Sequence, residues 1–441
     1  MRWRTTLSRA WSSVAEGFTL AWRALARGHV LALLLAAVAL AHVLLPALVR
    51  SDGTAAGARE MYIRAVTGAT YLITALTTLA CACGFFAQER ARKRLALTVV
   101  RPASTWGVAC GTWLALCALA AAAFALTAAC TALRFPETPA CWHRAVPTLP
   151  PAEETARGML ADYLADPRTP EAVKKAPRAT VLRLLTNKER ERYDAVRTGE
   201  TATWPVPAAL ARETNVVVRV RFATPFDMRA PLVGAFTLGP LSGTISNQTQ
   251  SIVSVPLAPS TKYQAPSTKH QALSATHQAP GTSLLSFVNH GEHPLMMRPR
   301  RDIELLVPAD AFAGNLARAC AQMLTVTALL AAFGLFLSSA LSRPVALFTA
   351  LAVVAVALMA PSVVLQFPDE LGTTFGNRAC LALTRAIYGL TETACAAQPI
   401  SDLATDMCIE PLAVLRGAAV NGLLLPLILL ALAARLVRRN V

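Results

Sequence analysis

Residues 88 to 112 carry the densest group of charged side chains between two hydrophobic runs of this chain. The segment opens with Gln88, Glu89 and Arg90 and continues with a second basic cluster, Arg92 to Arg94. A short basic helix on the inner face of a membrane protein can enter a groove on a cytoplasmic partner and pass that partner's movement to the spans. The same cations could instead be an orientation signal that faces anionic lipid.

Other arrangements that could support chemistry are incomplete. His290-x-Glu-His293 and Cys141-x-His143 offer only two or three metal ligands each, in stretches that read as loop. The chain contains no Gly-x-x-x-x-Gly-Lys-Ser/Thr phosphate loop and no Gly-x-Ser-x-Gly nucleophile motif. We therefore expect no catalytic residues, no metal and no cofactor in this chain. One disulfide within 380 to 408 is plausible, but its pairing cannot be read from the sequence.

Long hydrophobic runs are the elements that must position the basic segment. Hydrophobic residues make up 54% of the chain and charged residues only 15%, a balance typical of a membrane protein. Six runs without charges are each close to the length that crosses a bilayer as a helix. These runs are 30 to 49, 68 to 87, 107 to 133, 319 to 342, 344 to 368 and 417 to 434.

The distribution of charge predicts an orientation in the membrane. If the N-terminus is cytoplasmic, the inner segments carry fourteen Lys/Arg and two acids, whereas the short outer loops carry six Arg and eight acids. Cationic loops stay on the cytoplasmic side, so both termini are expected to be cytoplasmic in a multi-pass protein of the inner membrane. Because orientation explains much of the net charge of +16, we expect no nucleic-acid partner.

The N-terminal residues 1–29 predict an amphipathic helix at the cytoplasmic membrane surface. Apolar residues recur at spacings of three and four, with arginines available for another face. The expected membrane-interface anchors are Trp3, Trp11, Phe18 and Trp22. Such a helix could fix the orientation of the chain or could have a mechanical role.

Residues 134–318 form the single long polar stretch, which we expect outside the membrane. Helix formers fill 150–200, alternating strands separated by Gly, Pro and Asn fill 214–310, and a seven-residue Pro/Ser/Thr/Gln repeat at 258–280 predicts disorder. The fold class is a membrane all-α six-helix bundle with an inserted extracytoplasmic α+β domain, short helices followed by a small β-sandwich. The remaining divisions are 30–133 (spans one to three), 319–368 (spans four and five), 369–416 (re-entrant or interfacial helices outside) and 417–441 (span six and a basic cytoplasmic tail).

The spacing within 88–112 resembles the coupling segment of ATP-binding-cassette (ABC) exporter permeases of the second type. Glu-Arg and the following Leu match the spacing of the family's segment, a Pro stands seven residues after that Leu, and a Gly stands nine residues after the Pro. The sequence departs from the family at Lys93-Arg94, where Gly-Thr is favoured, and at Thr112, where Lys is favoured. The resemblance implies that the ATPase-coupling residues are Glu89, Arg90, Arg94, Leu95, Pro102 and Gly111.

The resemblance implies a transmembrane permease subunit, with ATP bound and hydrolysed by a separate cytoplasmic ABC ATPase. It further implies a homodimer, or a heterodimer with another permease, surrounded by membrane lipids. Mostly apolar spans would suit a lipid-linked or amphipathic cargo, or work on an envelope component. The 185-residue insertion is absent from the plainest members of the family. The alternative is a membrane scaffold or sensor that does not transport and whose extracytoplasmic domain binds a ligand.

Overall fold

The computed structural model describes two compact units, one built from both ends of the chain and one from its middle. The first unit is Met1–Pro139 with Asp310–Val441, and the second is Ala140–Ala309. The described residues are 2–49, 55–92, 104–135, 141–175, 177–213, 215–222, 232–248, 252–259, 282–366, 376, 379–380, 382–385 and 398–439. Arg94, Leu95, Pro102 and all but the first two residues of the predicted repeat lie outside these ranges.

Apolar helices form the first half of the helical unit. Their order along the chain is α1 (Arg2–Arg27), α2 (Val30–Leu48), α3 (Ala55–Tyr62), a π-helical turn (Ile63–Thr67), α4 (Gly68–Ala91) and α5 (Thr105–Arg134). The predicted second span at 68–87 is longer in the structure, because the π-helical turn joins α3 to α4 without a break.

The second unit contains a first strand, three short helices and then further strands, and the described strand pairings are antiparallel. The helices are α6 (Ala152–Ala165), α7 (Glu171–Lys174) and α8 (Arg178–Arg190). The strands are β1 (Trp142–Ala145), β2 (Asp194–Val196), β3 (Thr201–Pro207), β4 (Val216–Arg221), β5 (Leu232–Leu238), β6 (Leu241–Gln248), β7 (Ile252–Pro259), β8 (Thr282–Asn289), β9 (Leu295–Met297) and β10 (Ile303–Pro308).

The main β structure is one curved eight-stranded sheet, where the sequence predicted a small sandwich. Eight strands follow the order β1-β10-β4-β7-β6-β5-β8-β3, and β2 pairs with β9 separately. The pairing of β6 with β7, in which Leu241 stands opposite Pro259, joins two four-stranded halves into a half-barrel. Phe222 and Phe287 come from different halves, and their rings lie 5.6 Å apart in the buried core. The alternation of apolar residues predicted the strands but could not show that the halves are continuous.

The remaining helices complete the helical unit. They are α9 (Phe312–Ala340), α10 (Arg343–Gln366), α11 (Pro399–Ala404), α12 (Pro411–Ala419), a π-helical turn (Val420–Leu424) and α13 (Leu425–Arg439). Helix α9 begins seven residues before the predicted span at 319 and includes Arg318. In the sequence that arginine lies just before the charge-free run; in the structure it lies inside the helix and pairs with Asp310.

Five helical stretches are long and apolar enough to cross a membrane: Val30–Leu48, Gly57–Ala91, Thr105–Arg134, Phe312–Ala340 and Pro411–Arg439. A sixth apolar helix, α10, falls short of the length needed to cross a membrane when only its described side chains are counted, because these end at Met359. Many large apolar side chains on these helices are exposed, for example Leu40, Phe348 and Leu358. The described part of the chain is therefore compatible with a multi-pass membrane protein.

The long helices alternate in direction, which gives the helical unit two distinct ends. At the first, called the Phe312 end, Tyr62, Phe135, Phe312 and Leu403 share one buried cluster. At the second, called the Arg90 end, the last turn of α4 lies beside the last turn of α9, and the last turn of α13 lies beside the start of α5. Both ends carry the polar contacts from which a function can be argued.

Candidate functional site

Arg90 joins the last turn of α4 to the last turn of α9. Its guanidinium group donates hydrogen bonds to the backbone carbonyls of Leu341 at 2.6 Å, Ser339 at 2.8 Å and Ser338 at 3.2 Å. Carbonyls at a helix C-terminus lack partners within the helix and carry partial negative charge, so a cation is well placed there. This set of hydrogen bonds, called the Arg90 contact, fixes the start of the predicted coupling segment to α9.

The far side of the predicted coupling segment is fixed to two other helices. The backbone N–H of Ser104 donates to the hydroxyl of Ser13 in α1 at 3.1 Å. Nε of Arg438 in α13 donates to the hydroxyl of Thr105, the first residue of α5, at 2.7 Å. Residues 93–103 lie outside the described ranges, but the residues on both sides of them are held by contacts to α1, α9 and α13.

Gly111, predicted to belong to the coupling motif, lies where α5 crosses α1. A Cβ atom added to Gly111 would lie 2.1 Å from the carbonyl oxygen of Val14 and 2.5 Å from the backbone nitrogen of Phe18. A Cβ atom added to Gly107, one turn earlier, would lie 2.5 Å from the Cβ atom of Ser13. The pattern Gly-x-x-x-Gly therefore brings two helix backbones together, as small residues do between membrane helices. That spacing was a sequence signal for this crossing.

The four predicted interface anchors lie on α1. Trp11 is 74% exposed, and the rings of Phe18 and Trp22 stack with centroids 5.9 Å apart. The side chain of Trp3 lies outside the described structure. The buried face of α1 is made mainly of small residues, Ser13, Gly17, Ala21 and Leu25, so α1 packs on α5 through its small residues and leaves aromatic rings at its surface.

A cavity of about 590 Å³ opens beside the Arg90 contact. Its polar lining includes Gln88, Arg90, Ser342 and Arg343. Glu89 is half-buried, and its carboxylate makes no hydrogen bond or ion pair within the described part of the chain. Glu89 is therefore available to a partner at this end, whereas Arg90 is already occupied by α9.

The two ends of the helical unit differ in how their arginines are paired. At the Phe312 end, Arg59 pairs with Asp406, and Arg64 and Arg318 pair with Glu60 and Asp310. At the Arg90 end, the arginines in the described residues form no ion pair with a carboxylate; they are Arg23, Arg27, Arg90, Arg92, Arg343, Arg435, Arg438 and Arg439. Three arginines at the Phe312 end are thus paired with carboxylates, while Arg134 at that end lies over the ring of Tyr62, and none of the described arginines at the Arg90 end has a carboxylate partner.

The Phe312 end holds the segment that precedes the last apolar helix. The side-chain amide of Asn315, fully buried in α9, donates to the carbonyl of Met407 at 2.7 Å and accepts from the backbone N–H of Ile409 at 2.8 Å. Nearby, Nδ1 of His42 lies 2.7 Å from the hydroxyl of Tyr62. The Asn315 contacts, together with the Arg59–Asp406 ion pair, dock residues 406–409 on α9 and α3.

A cleft of about 650 Å³ lies in the second unit, beside α6 and α8. Two of its walls are tyrosines: the ammonium of Lys188 lies 5.8 Å from the ring centre of Tyr163, and the guanidinium of Arg298 lies 5.1 Å from that of Tyr193. Hydrogen bonds to Asp302, and then to Glu191, raise the pKa of Arg298 above its ordinary value. The cleft could accept a small ligand, and it had no signature in the sequence.

Cysteine and metal sites add no further chemistry within the described residues. Cys380 and Cys408 are free thiols, and Cys395 lies outside the described ranges, so the pairing of a disulfide within 380–408 stays open. No group of three or more His, Cys, Asp or Glu side chains could hold a metal ion in the part of the chain that the structure describes. Comparisons with protein-family models, curated proteins and solved structures gave no match.

Proposed function

We propose that this chain is the transmembrane permease subunit of an ABC-type exporter and that a separate cytoplasmic ATPase drives it. The observation that carries the proposal is the Arg90 contact together with the fixed position of Ser104. Both sides of the segment that resembles a coupling helix are bound to other helices, so a partner that moved this segment would move those helices too. A segment that served only as an orientation signal would need no such contacts.

In the proposed orientation the chain lies in the inner membrane, and its Arg90 end is on the cytoplasmic side. Cations without carboxylate partners favour the side that faces anionic lipid and a cytoplasmic partner. Both termini lie on that side in this arrangement. As a homodimer or a heterodimer with another permease, the subunit would export a lipid-linked or amphipathic cargo, or work on an envelope component.

Affinity purification of the tagged full chain in mild detergent, followed by mass spectrometry and an ATPase assay, tests the proposal. The informative variant is Glu89→Ala, because this side chain is available and its removal breaks no contact among the described residues. The matched control is Glu410→Ala, which removes the same charge from an exposed position at the Phe312 end. We expect a cassette ATPase to copurify with the parent and the control, and to be lost with Glu89→Ala.

Two results would contradict the proposal. One is the absence of any ATPase from preparations of the parent chain in several mild detergents. The other is equal recovery of the ATPase with the parent and with Glu89→Ala. The scaffold or sensor is then favoured, because the cleft beside Tyr163 and Tyr193 offers a ligand site in the second unit. That second function would be supported if no ATPase copurified with the chain and if a ligand bound by the parent chain were no longer bound by Tyr163→Ala.

A further inference from the structure

A cavity of about 360 Å³ lies among α4, α9 and the start of α11. Its polar lining is Arg64, Tyr71, Gln322, Gln398 and Ser401, and apolar residues such as Met323 and Ile400 complete it. Pockets of a few hundred Å³ are large enough to hold a small polar group. The described lining includes one cation and no carboxylate, so it favours an anionic group.

The cavity extends from the Phe312 end toward the middle of the bundle. Gln322 lies ten positions after Phe312, which places it about 15 Å along α9. Ile400 packs against Phe124 and Met323 at a similar depth. Non-helical backbone at membrane depth is tolerated only inside protein or beside a polar cavity. The start of α11 therefore needs polar surroundings, and this cavity supplies them.

Gln322 points to a ligand because its side-chain amide lacks a partner. The residue is only 7% exposed, and its amide makes no hydrogen bond within the described part of the chain. A polar side chain that lines a cavity and has no protein partner normally bonds an ordered polar molecule there. An amide that lines a cavity is therefore a site for a hydrogen-bonding ligand.

The polar groups are arranged in the order that a glycerophospholipid presents them. Arg64 lies seven residues, about 10 Å, closer to the Phe312 end than Tyr71, so a phosphate would meet Arg64 first. Arg64 pairs with Glu60 at 2.8 Å, but both side chains are about half exposed, and such pairs are weak enough for a phosphate to replace. Farther along α4, Leu72 and Leu76 are exposed and apolar.

We infer that this cavity binds the head group of a phosphate-bearing lipid. Arg64 contacts the phosphate, Gln322 contacts an ester carbonyl, and the acyl chains lie beside Leu72 and Leu76. This site stands apart from the proposed coupling site at the Arg90 end, and lipid binding there requires no ATPase. The two proposals can therefore fail separately.

Photocrosslinking of the full chain in detergent micelles tests the inference. The probe is phosphatidylglycerol with a photoreactive group next to an ester, and labelled peptides are identified by mass spectrometry. The variants are Gln322→Leu and Arg64→Gln. The control is Thr327→Val, a fully buried position of the same helix whose hydroxyl bonds within α9 at 2.8 Å.

We expect labelling of the peptides that contain Met323 and Ile400. Labelling should fall roughly tenfold in each variant, as expected for one lost hydrogen bond to a ligand, and should persist in the control. Gln322→Leu should unfold at the parent's temperature or above, since it removes an unpartnered amide. Unlabelled phosphatidylglycerol should compete, and free glycerol phosphate should not.

Three outcomes would overturn the inference. One is labelling that both variants leave unchanged, because the polar lining would then have no part in binding. Another is competition by free glycerol phosphate as effective as competition by the lipid, which would indicate a soluble anion. The third is a large loss of thermal stability in Gln322→Leu, because the amide would then have a partner within the protein.

Discussion

The crossing of α1 and α5 yields the sharpest prediction, the effect of Gly111→Ala. The added methyl group would lie 2.1 Å from the carbonyl oxygen of Val14 and 2.5 Å from the backbone nitrogen of Phe18. Both are backbone atoms, so no side chain can turn away to make room. The two helices must therefore separate locally by about 1 Å, which forfeits a large part of the dispersion contacts at the crossing.

Two opposing effects set the magnitude. Alanine is favoured over glycine inside a helix by about 0.8–1.0 kcal/mol. Overpacking a close contact costs about 1–3 kcal/mol, and here the clash is with backbone. A clash with backbone belongs at the upper end of that range, about 2–3 kcal/mol, so Gly111→Ala is expected to destabilise the helical unit by a net of about 1–2 kcal/mol. Gly68, which also lies in an apolar helix, has nothing within 4 Å of an added Cβ. Gly68→Ala should therefore stabilise or have no effect.

Thermal unfolding in detergent and hydrogen exchange of the α1 backbone measure the outcome. Gly111→Ala should lower the unfolding midpoint and speed hydrogen exchange in residues 13–21. Gly68→Ala should neither lower the midpoint nor speed that exchange. If Gly111→Ala is as stable as the parent and α1 exchanges at the parent's rate, the close crossing is not present in solution. The reasoning from the glycine spacing would then be refuted.

Three further predictions concern buried polar side chains. Asn315→Leu removes two hydrogen bonds to the 407–409 backbone, so hydrogen exchange at 405–410 should speed up about 30-fold or more; an unchanged rate would contradict the docking. Asn289→Ala removes the buried bonds to Val196 and His293, and the unfolding midpoint of the second unit should fall by several degrees in calorimetry; no shift would contradict it. Asp302→Ala leaves Arg298 without its main partner, and urea unfolding should show a loss of about 1–3 kcal/mol that Glu191→Ala does not reproduce.

The sequence predicted the secondary structure well where a strong local pattern existed. Long charge-free runs marked the apolar helices, because a bilayer-length run is a property of composition. The predicted ends of those helices were less accurate, since Arg318 lies inside α9 although the charge-free run begins only after it. The strands around Val216–Arg221 followed from alternation, while the short strand Trp142–Ala145 did not, because its partner lies about 160 positions away.

The candidate site was only partly readable from sequence. The spacing from Glu89 to Gly111 indicated a coupling segment, but it could not show that Arg90 binds the end of α9 or that Gly111 contacts α1. Both facts depend on residues distant in the chain. Gln322 was visible as a polar residue in a predicted span, yet its cavity is formed by the start of α11, almost 80 residues later.

These contacts also suggest why close packing would matter for coupling. Helices α4 and α9 touch at Gly334, where an added Cβ would lie 2.7 Å from Ala82, and the Arg90 contact joins their ends. Helices α1 and α5 touch in the same close way at Gly111. The predicted coupling segment runs from the first pair to the second, so its displacement would shift one stiff pair against the other. In that mechanism, Gly111→Ala should retain the ATPase but uncouple hydrolysis from transport, whereas Glu89→Ala should release the ATPase itself.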